Sequence, residues 1–318
     1  MRILIKNGTV IDPANHVYSR QNLWIEDGKI AGYGDDLTPE ASFDRVIDAS
    51  GLVVAPGFID IHMHEDPIDA GTGRLDTCIS RCMLRMGVTT VLGGNCGINV
   101  YDPAEYLDMA DRYGMPVNIA LMAGQTWARE KAGAADKYGP VSAAQLEEEK
   151  RILRGALDAG CFGVSFGIRY VPGLDRNELL ETAGVCDREK HLISAHVRDD
   201  AAQIFGAVEE FLDIGRTLGL RTQVSHVGSM GGYGQMKELL AILDRERAMG
   251  LDVLCDCYPY YAFSTRIGET TYDDGFLERY RADYSCIELC EGAYKGMRCT
   301  EAIFNELREN APETITVG

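Results

Sequence analysis

The sequence predicts an α/β protein: a (β/α)8 barrel of the TIM type, with seven strands evident and the eighth missing, joined to a small N-terminal β-sandwich unit. Three observations carry this reading. Residues 1–54 alternate short apolar runs with Asn-Gly and Asp-Gly turns, from Phe58 a strand-then-helix rhythm repeats, and four of the six histidines fall at the ends of those strands. Seven strand–helix units in a row favour a closed barrel over a doubly wound sheet.

In the first 54 residues, Ile3-Leu4-Ile5 leads through Asn7-Gly8 into Thr9-Val10-Ile11, and Leu23-Trp24-Ile25 leads through Asp27-Gly28 into Lys29-Ile30. Val46-Ile47-Asp48 leads through Ser50-Gly51 into Leu52-Val53-Val54. Asn-Gly and Asp-Gly between alternating runs are hairpin signals, because both residues accept positive φ. The barrel then occupies residues 55–318. Its strands are predicted at Phe58–His62, Thr89–Gly93, Val117–Leu121, Gly163–Phe166, Leu192–His196, Thr222–His226 and Leu251–Cys255. Helical spacing between them covers Leu75–Met86, Ser142–Ala159, Arg176–Glu189, Ala201–Leu218 and Gln235–Met249. Ser142 and Gln145 have capping-box spacing, and Gly87, Gly160, Gly219 and Gly250 suit left-handed helix ends. After Tyr258 the rhythm fades, so residues 261–318 read as an excursion following strand seven.

Composition narrows the function. Lys+Arg is 31 against Asp+Glu 49, a formal charge of −18, and no basic run is present. Nucleic acid and anionic membranes are therefore poor partners. No apolar stretch approaches the roughly 18 residues of a membrane span, and no signal peptide opens the chain. Ten cysteines scattered through a chain without a secretory signal point to reduced thiols in a cytoplasm. Cys255-Asp256-Cys257 and Cys286 with Cys290 lack the paired spacing of a structural zinc module.

The chemistry centres on Pro56-Gly57-Phe58-Ile59-Asp60-Ile61-His62-Met63-His64. If the strand runs on through His64, period-two alternation puts His62 and His64 on one face, half of a metal site. Taken alone, His-x-His is as readily a packed core histidine. His196 and His226 end the predicted fifth and sixth strands, however, and parallel strand ends share one face of a barrel. Together the four predict a metal site. His16 and His191 lie elsewhere and are expected to be structural. Cys96, in Gly93-Gly94-Asn95-Cys96-Gly97, would face the same centre as a thiolate, a strong zinc ligand; the alternative is a buried free thiol.

These residues carry a resemblance. Gly8-Thr9-Val10-Ile11-Asp12, the run from Ala55 to His64 and the strand-end histidines are similar to the amidohydrolase superfamily. Gly94-Asn95-Cys96-Gly97, Tyr170-Val171-Pro172-Gly173, His196-Val197-Arg198-Asp199 and Tyr258-Pro259-Tyr260 resemble the N-acyl-D-amino-acid deacylases, or D-aminoacylases, over about residues 1 to 266. Many relatives bridge two metals with a carboxylated lysine after strand four. Gly163-Val164-Ser165-Phe166-Gly167 has none, which fits the Cys96 form of the site.

The resemblance implies zinc held tightly by Cys96, His196 and His226, with His62, His64 and a shared Cys96 forming a second, weaker position. It implies hydrolysis of the amide bond of small N-acyl-D-amino acids. Tyr258 and Ser264 match positions that hold the substrate carboxylate, and Tyr170 one that contacts the acyl-amide end. Arg198 is a further carboxylate partner by bidentate geometry, or else a structural ion pair with Asp199 or Asp200. The family's proton-transferring aspartate follows strand eight, so the chain reads as C-terminally truncated and nearly inactive alone. Gly228 stands where the family often has a lysine, and Gln125 where it tends to have histidine. The glycine-rich stretch 228–234 lacks a P-loop ending and is expected to be a mobile mouth loop or lid. Two rival readings remain: an amidohydrolase of cyclic amides such as hydantoins, and a non-catalytic metal-binding remnant.

Overall fold

The computed structural model describes residues 1–34, 42–232 and 234–318, in two units, Met1–Phe58 and Ile59–Gly318. The first unit holds two small sheets. One runs in the order Lys29–Tyr33, Leu23–Glu26, Arg2–Lys6, Arg45–Asp48, and the other Val17–Arg20, Thr9–Asp12, Val53–Val54. Leu4, Val10, Leu23 and Ala49 are buried.

Of the three expected hairpins, Asp27-Gly28 makes one: Glu26 pairs with Lys29, and Asp27 takes φ 49°. The other two turns carry the chain from one sheet to the other. Arg2–Lys6 pairs with Leu23–Glu26 and Arg45–Asp48, whereas Thr9–Asp12 pairs with Val17–Arg20 and Val53–Val54. The Asn7 N–H is captured by the Asn22 Oδ1 at 3.0 Å and the Thr9 N–H by the Leu52 carbonyl at 2.9 Å. Neither donor is left to close a two-residue hairpin.

From Phe58 onward all seven expected strands are present and follow one another in sequence order. Phe58–Asp60, Val88–Gly93 and Asn118–Leu121 form one sheet; Ala123–Gly124, Gly163–Gly167, Leu192–His196, Arg221–Val224 and Val253–Cys255 form a second. The run 118–124 belongs to both, its first half pairing with Val88–Gly93 and its last two residues with Gly163–Gly167, all in parallel. Among the described residues no pairing joins Val253–Cys255 to Phe58–Asp60 and no eighth parallel strand follows, so the barrel is not closed. The strand Gly163–Gly167 is buried along its whole length, as expected where helices cover the outer face of a parallel sheet.

The helices follow from local signals. Ala143–Asp158 starts on the expected capping box, with Ser142 and Gln145 exchanging hydrogen bonds. Ile204–Leu218 buries Ile204, Ala207, Val208, Phe211, Leu212 and Gly215, the repeat of a helix with one apolar face. The helix expected from Leu75 begins only at Cys78, because the buried Asp66 carboxylate accepts the Ile79 N–H at 2.6 Å and the Ser80 N–H at 3.1 Å and fixes the first turn there. The helix from Arg176 stops at Ala183, well short of Glu189; the turn beyond is tied by the Asp187 N–H donating to His191 Nδ1.

Residues 261–318 form more than irregular chain. Ser264–Arg266, Ile315–Val317 and Glu288–Leu289 make an antiparallel sheet over a separate cluster of Ile267, Tyr272, Phe276, Ile287, Leu289, Cys299 and Phe304. All ten cysteines are free, and no helix among the described residues is long and apolar enough to cross a membrane.

Candidate metal centre

The first parallel strand ends at Asp60, two residues before the expected stop. The Asp60 carboxylate turns back to accept the His62 N–H at 2.9 Å, which takes that group out of any ladder. His62 and His64 therefore project from irregular backbone, their rings 5.9 Å apart and nearly perpendicular, not stacked by strand alternation. His196 closes its strand as expected. His226 lies two residues past Arg221–Val224, in the left-handed region at φ 34°, with its N–H donated to Asp256 Oδ1 at 2.8 Å.

Cys96 is carried by a loop that the neighbouring strands leave little choice. Gly94 has φ 72°, and a Cβ there would lie 2.1 Å from the Met122 carbonyl oxygen. Asn95 Nδ2 donates to the Leu92 carbonyl at 2.9 Å, and Asn99 ties the loop to Glu65, to the Met122 carbonyl and to the Gly124 N–H. The loop presses on strand four: Ser165 Oγ accepts the Gly97 N–H at 3.0 Å and donates to the Gly94 carbonyl, while a Cβ on Gly167 would lie 2.2 Å from the Cys96 carbonyl oxygen. That packing supplies the physical reason for a lysine-free strand four. The Cys96 loop fills its end.

The sulfur is the hub. Cys96 Sγ lies 3.4 Å from His62 Nε2 and 3.6 Å from His226 Nε2. His226 is stacked edgewise on His62 at 5.0 Å and on His196 at 4.5 Å between ring centroids. Burial pushes the Cys96 thiol up, but hydrogen bonds from His196, His226, His62 and His64 outweigh it and hold the group well below the ordinary thiol range. Burial likewise pulls His62 down, and contacts with Asp256 and Cys96 outweigh it, raising the imidazole to about 10. The Cys96 sulfur thus sits between two imidazoles, His62 and His226. His196 is buried and its Nδ1 has no hydrogen-bond partner among the described residues.

This donor set fits a borderline-soft metal. Tetrahedral zinc with Zn–S of about 2.3 Å and Zn–N of about 2.0 Å keeps its donors about 3.5 Å apart. The Cys96–His62 and Cys96–His226 separations are already of that size, and the donor atoms of His62, Cys96 and His226 all lie within 4.8 Å of one another.

A cavity of about 820 Å³ opens onto the cluster, and Tyr170, Tyr258 and Ser264 line it together with the four histidines and Cys96. The Tyr170 ring packs 4.6 Å from His196. Ser264 Oγ donates to the Thr316 carbonyl at 2.9 Å. Arg198 is not brought to the cavity. Its guanidinium is spent on Glu210, bidentately at 2.8 Å, and on the Leu174 carbonyl, while Arg169 takes Asp199 and Arg279 takes Asp200. Gly228 lies where a Cβ would meet Cys257 Sγ at 2.5 Å, so a side chain there requires Cys257 to move. The glycine-rich stretch opens as one helical turn, Val227–Met230, whose Ser229 and Met230 line the cavity; Tyr233 lies outside the described residues.

Two groups escaped the sequence reading. Asp256 lines the cavity between His62 and His226; its position just past the end of strand seven was the available signal, hidden in Cys255-Asp256-Cys257. Gln125 is wholly buried and donates to Glu149 at 2.7 Å and to Glu178 at 3.0 Å, with Arg129 on Glu178 at 2.9 Å. It belongs to a buried network on the helix side of the sheet, outside the cavity wall.

Comparison with known proteins follows this geometry. An amidohydrolase family model matches residues 45–167. The N-acyl-D-glutamate deacylase of Alcaligenes xylosoxydans xylosoxydans is 33% identical over 289 residues, and the D-aminoacylase of the same organism 32% identical over 292 residues; each alignment covers 83% of this chain. The chain is similar to the D-aminoacylases among the amidohydrolases. It spans 58% of the length of each of those two relatives. Among solved structures, the chain is similar to the N-acyl-D-glutamate deacylase of Bordetella bronchiseptica, complexed with zinc and a phosphonate mimic of the tetrahedral intermediate. That likeness has 28% identity and a TM-score of 0.82, covering 99% of this chain and 70% of the other.

Proposed function

We propose that this chain holds zinc through Cys96, His196 and His226, with His62 and His64 at a second, weaker position, and that the protein hydrolyses the amide bond of N-acyl-D-amino acids. The observation that carries the reading is the Cys96 sulfur set between His62 and His226, with His64 and His196 packed beside those rings, all lining one cavity. The zinc-bound deacylase structure supports it. On this reading the seven-stranded arc is the (β/α)8 barrel scaffold of the family, and the two small sheets of Met1–Phe58 its β-sandwich.

Bound zinc supplies Lewis-acid polarisation of the amide carbonyl and a water of near-neutral pKa. The chain's own residues do the rest. Tyr170, beside His196, contacts the acyl-amide end, and Tyr258 and Ser264 take the substrate carboxylate by hydrogen bonding. Arg198 has no part in this, being held by Glu210. The carboxylates lining the cavity, Asp60, Asp200 and Asp256, each bind other groups of the protein, and proton transfer is assigned to none of them. The reading of a cyclic-amide hydrolase is weaker, since the end of strand four is occupied by the Cys96 loop where a bridging lysine would stand.

The test is calorimetric binding of a phosphonate analogue of an N-acyl-D-amino acid, which does not require turnover. Zinc-dependent binding that prefers the D over the L analogue, and both over a hydantoin, is expected. Equal binding of the enantiomers, or stronger binding of the hydantoin, contradicts the assignment.

A further inference from the structure

Asp256 stands where three strand ends meet. One carboxylate oxygen, Oδ1, accepts the main-chain N–H of His226 at 2.8 Å. The other, Oδ2, accepts from Gln223 Nε2 at 2.7 Å and lies 3.4 Å from His62 Nδ1. The Asp256 carbonyl also accepts the Val227 N–H at 2.9 Å, so both peptide N–H groups flanking the His226 α-carbon are held by one residue. This matters because His226 occupies the left-handed region, which a non-glycine residue keeps only when its surroundings impose it. His62 faces two ways at once, with Nε2 toward Cys96 Sγ and Nδ1 toward Asp256. A carboxylate on Nδ1 retains the proton there and leaves the Nε2 lone pair for a metal. Among the described residues strand seven has no partner strand on the far side, and this contact links its end to the chain following strand one.

We propose that Asp256 is the positioning residue of the metal centre, fixing the ring of His62 and the main chain of His226. The inference rests on the zinc reading above. Asp256→Asn keeps an oxygen for the His226 N–H but turns an NH2 toward Nδ1 of His62, which selects the wrong tautomer for a ligand at Nε2.

The experiment measures zinc affinity by chelator competition on the full chain, in the parent, Asp256→Asn, His62→Ala and the double variant. Asp256→Asn is expected to weaken zinc at the second position, the one His62 serves, about 10–100-fold, but by at most about threefold when His62 is already alanine, because the effect runs through that ring. In the zinc-loaded parent the ¹⁵N shifts of His62 should report a proton on Nδ1, and in Asp256→Asn on Nε2. Unchanged affinity, or an equal loss in both backgrounds, overturns the proposal. If Asp256→Asn does not fold, Gln223→Leu, which frees Oδ2 without touching a ligand, decides the same question: about tenfold weaker zinc supports the proposal and unchanged affinity overturns it. A parent chain that takes up no zinc contradicts the metal reading itself, whereas a zinc-binding parent insensitive to these changes contradicts this proposal alone.

Discussion

Around Cys96 two imidazoles flank one sulfur and two more pack beside their rings; around Glu178 one guanidinium and one carboxamide face two carboxylates. Both clusters are buried and rich in titratable groups, yet they are finished differently. Arg129 gives Nε to Glu178 and its remaining donors to the carbonyls of Ala134, Asp136 and Gly139. Burial first, and the charge of Glu178 second, raise the Glu149 carboxyl to about 8, so at neutral pH it keeps a proton that the Glu178 carboxylate can accept. None of these residues lines the cavity at Cys96. The Cys96 cluster instead brings a sulfur and imidazole nitrogens together at metal-ligand spacing and opens onto a cavity. Burial, perturbed pKa values and unpartnered atoms are common to both; donors converging at ligand spacing on an open cavity distinguish a ligand site from a structural one.

That contrast can be broken by experiment. Arg129→Ala leaves Glu178 as an uncompensated buried charge and should cost about 3–5 kcal/mol in urea unfolding. Zinc per folded molecule should stay unchanged; a loss of zinc would mean the two clusters are coupled.

The proton on Glu149 gives a signed pH effect. A carboxyl whose folded pKa is raised stabilises fully below its unfolded pKa, and that contribution is lost as pH rises through the folded value. Stability of the parent relative to Glu149→Gln should therefore fall between pH 4.5 and about 8, by on the order of a few kcal/mol. A difference that stays flat or rises across that window would show that Glu149 is ionised in the fold.

Ser165→Ala removes the two hydrogen bonds by which strand four braces the Cys96 loop. It should cost about 1–3 kcal/mol by denaturant unfolding and weaken zinc roughly tenfold by chelator competition, unlike Arg129→Ala, which touches stability alone. Ser142→Ala, at the start of the helix that carries Glu149, removes a capping box and should cost about 1 kcal/mol in the same unfolding assay, with zinc affinity unaltered.

Much of the site was legible because its residues sit at strand ends, where a parallel α/β pattern sends them to one face. His196 lies where the pattern put it. His62 and His64 do so only in effect, because Asp60 captures the His62 N–H and ends the strand early. The β unit was legible as strands but not as pairing: hairpin chemistry at Asn7-Gly8 yields to side-chain and main-chain partners that local sequence does not reveal. Gln125 could not be interpreted at all, since Glu149 and Glu178 are 24 and 53 residues away in the chain. Arg198 shows the same limit from the other side. Its motif suggested a substrate partner, and a glutamate 12 residues on, one face of the next helix, claims it.

The central claim is that the Cys96 cluster exists to hold metal, and elemental analysis of the purified, dialysed chain tests it most directly. The account predicts about one tightly held zinc per molecule, lost in Cys96→Ser and in His226→Ala and kept in Arg129→Ala. A folded parent chain that retains no zinc, or a zinc content indifferent to Cys96 and His226, would contradict it.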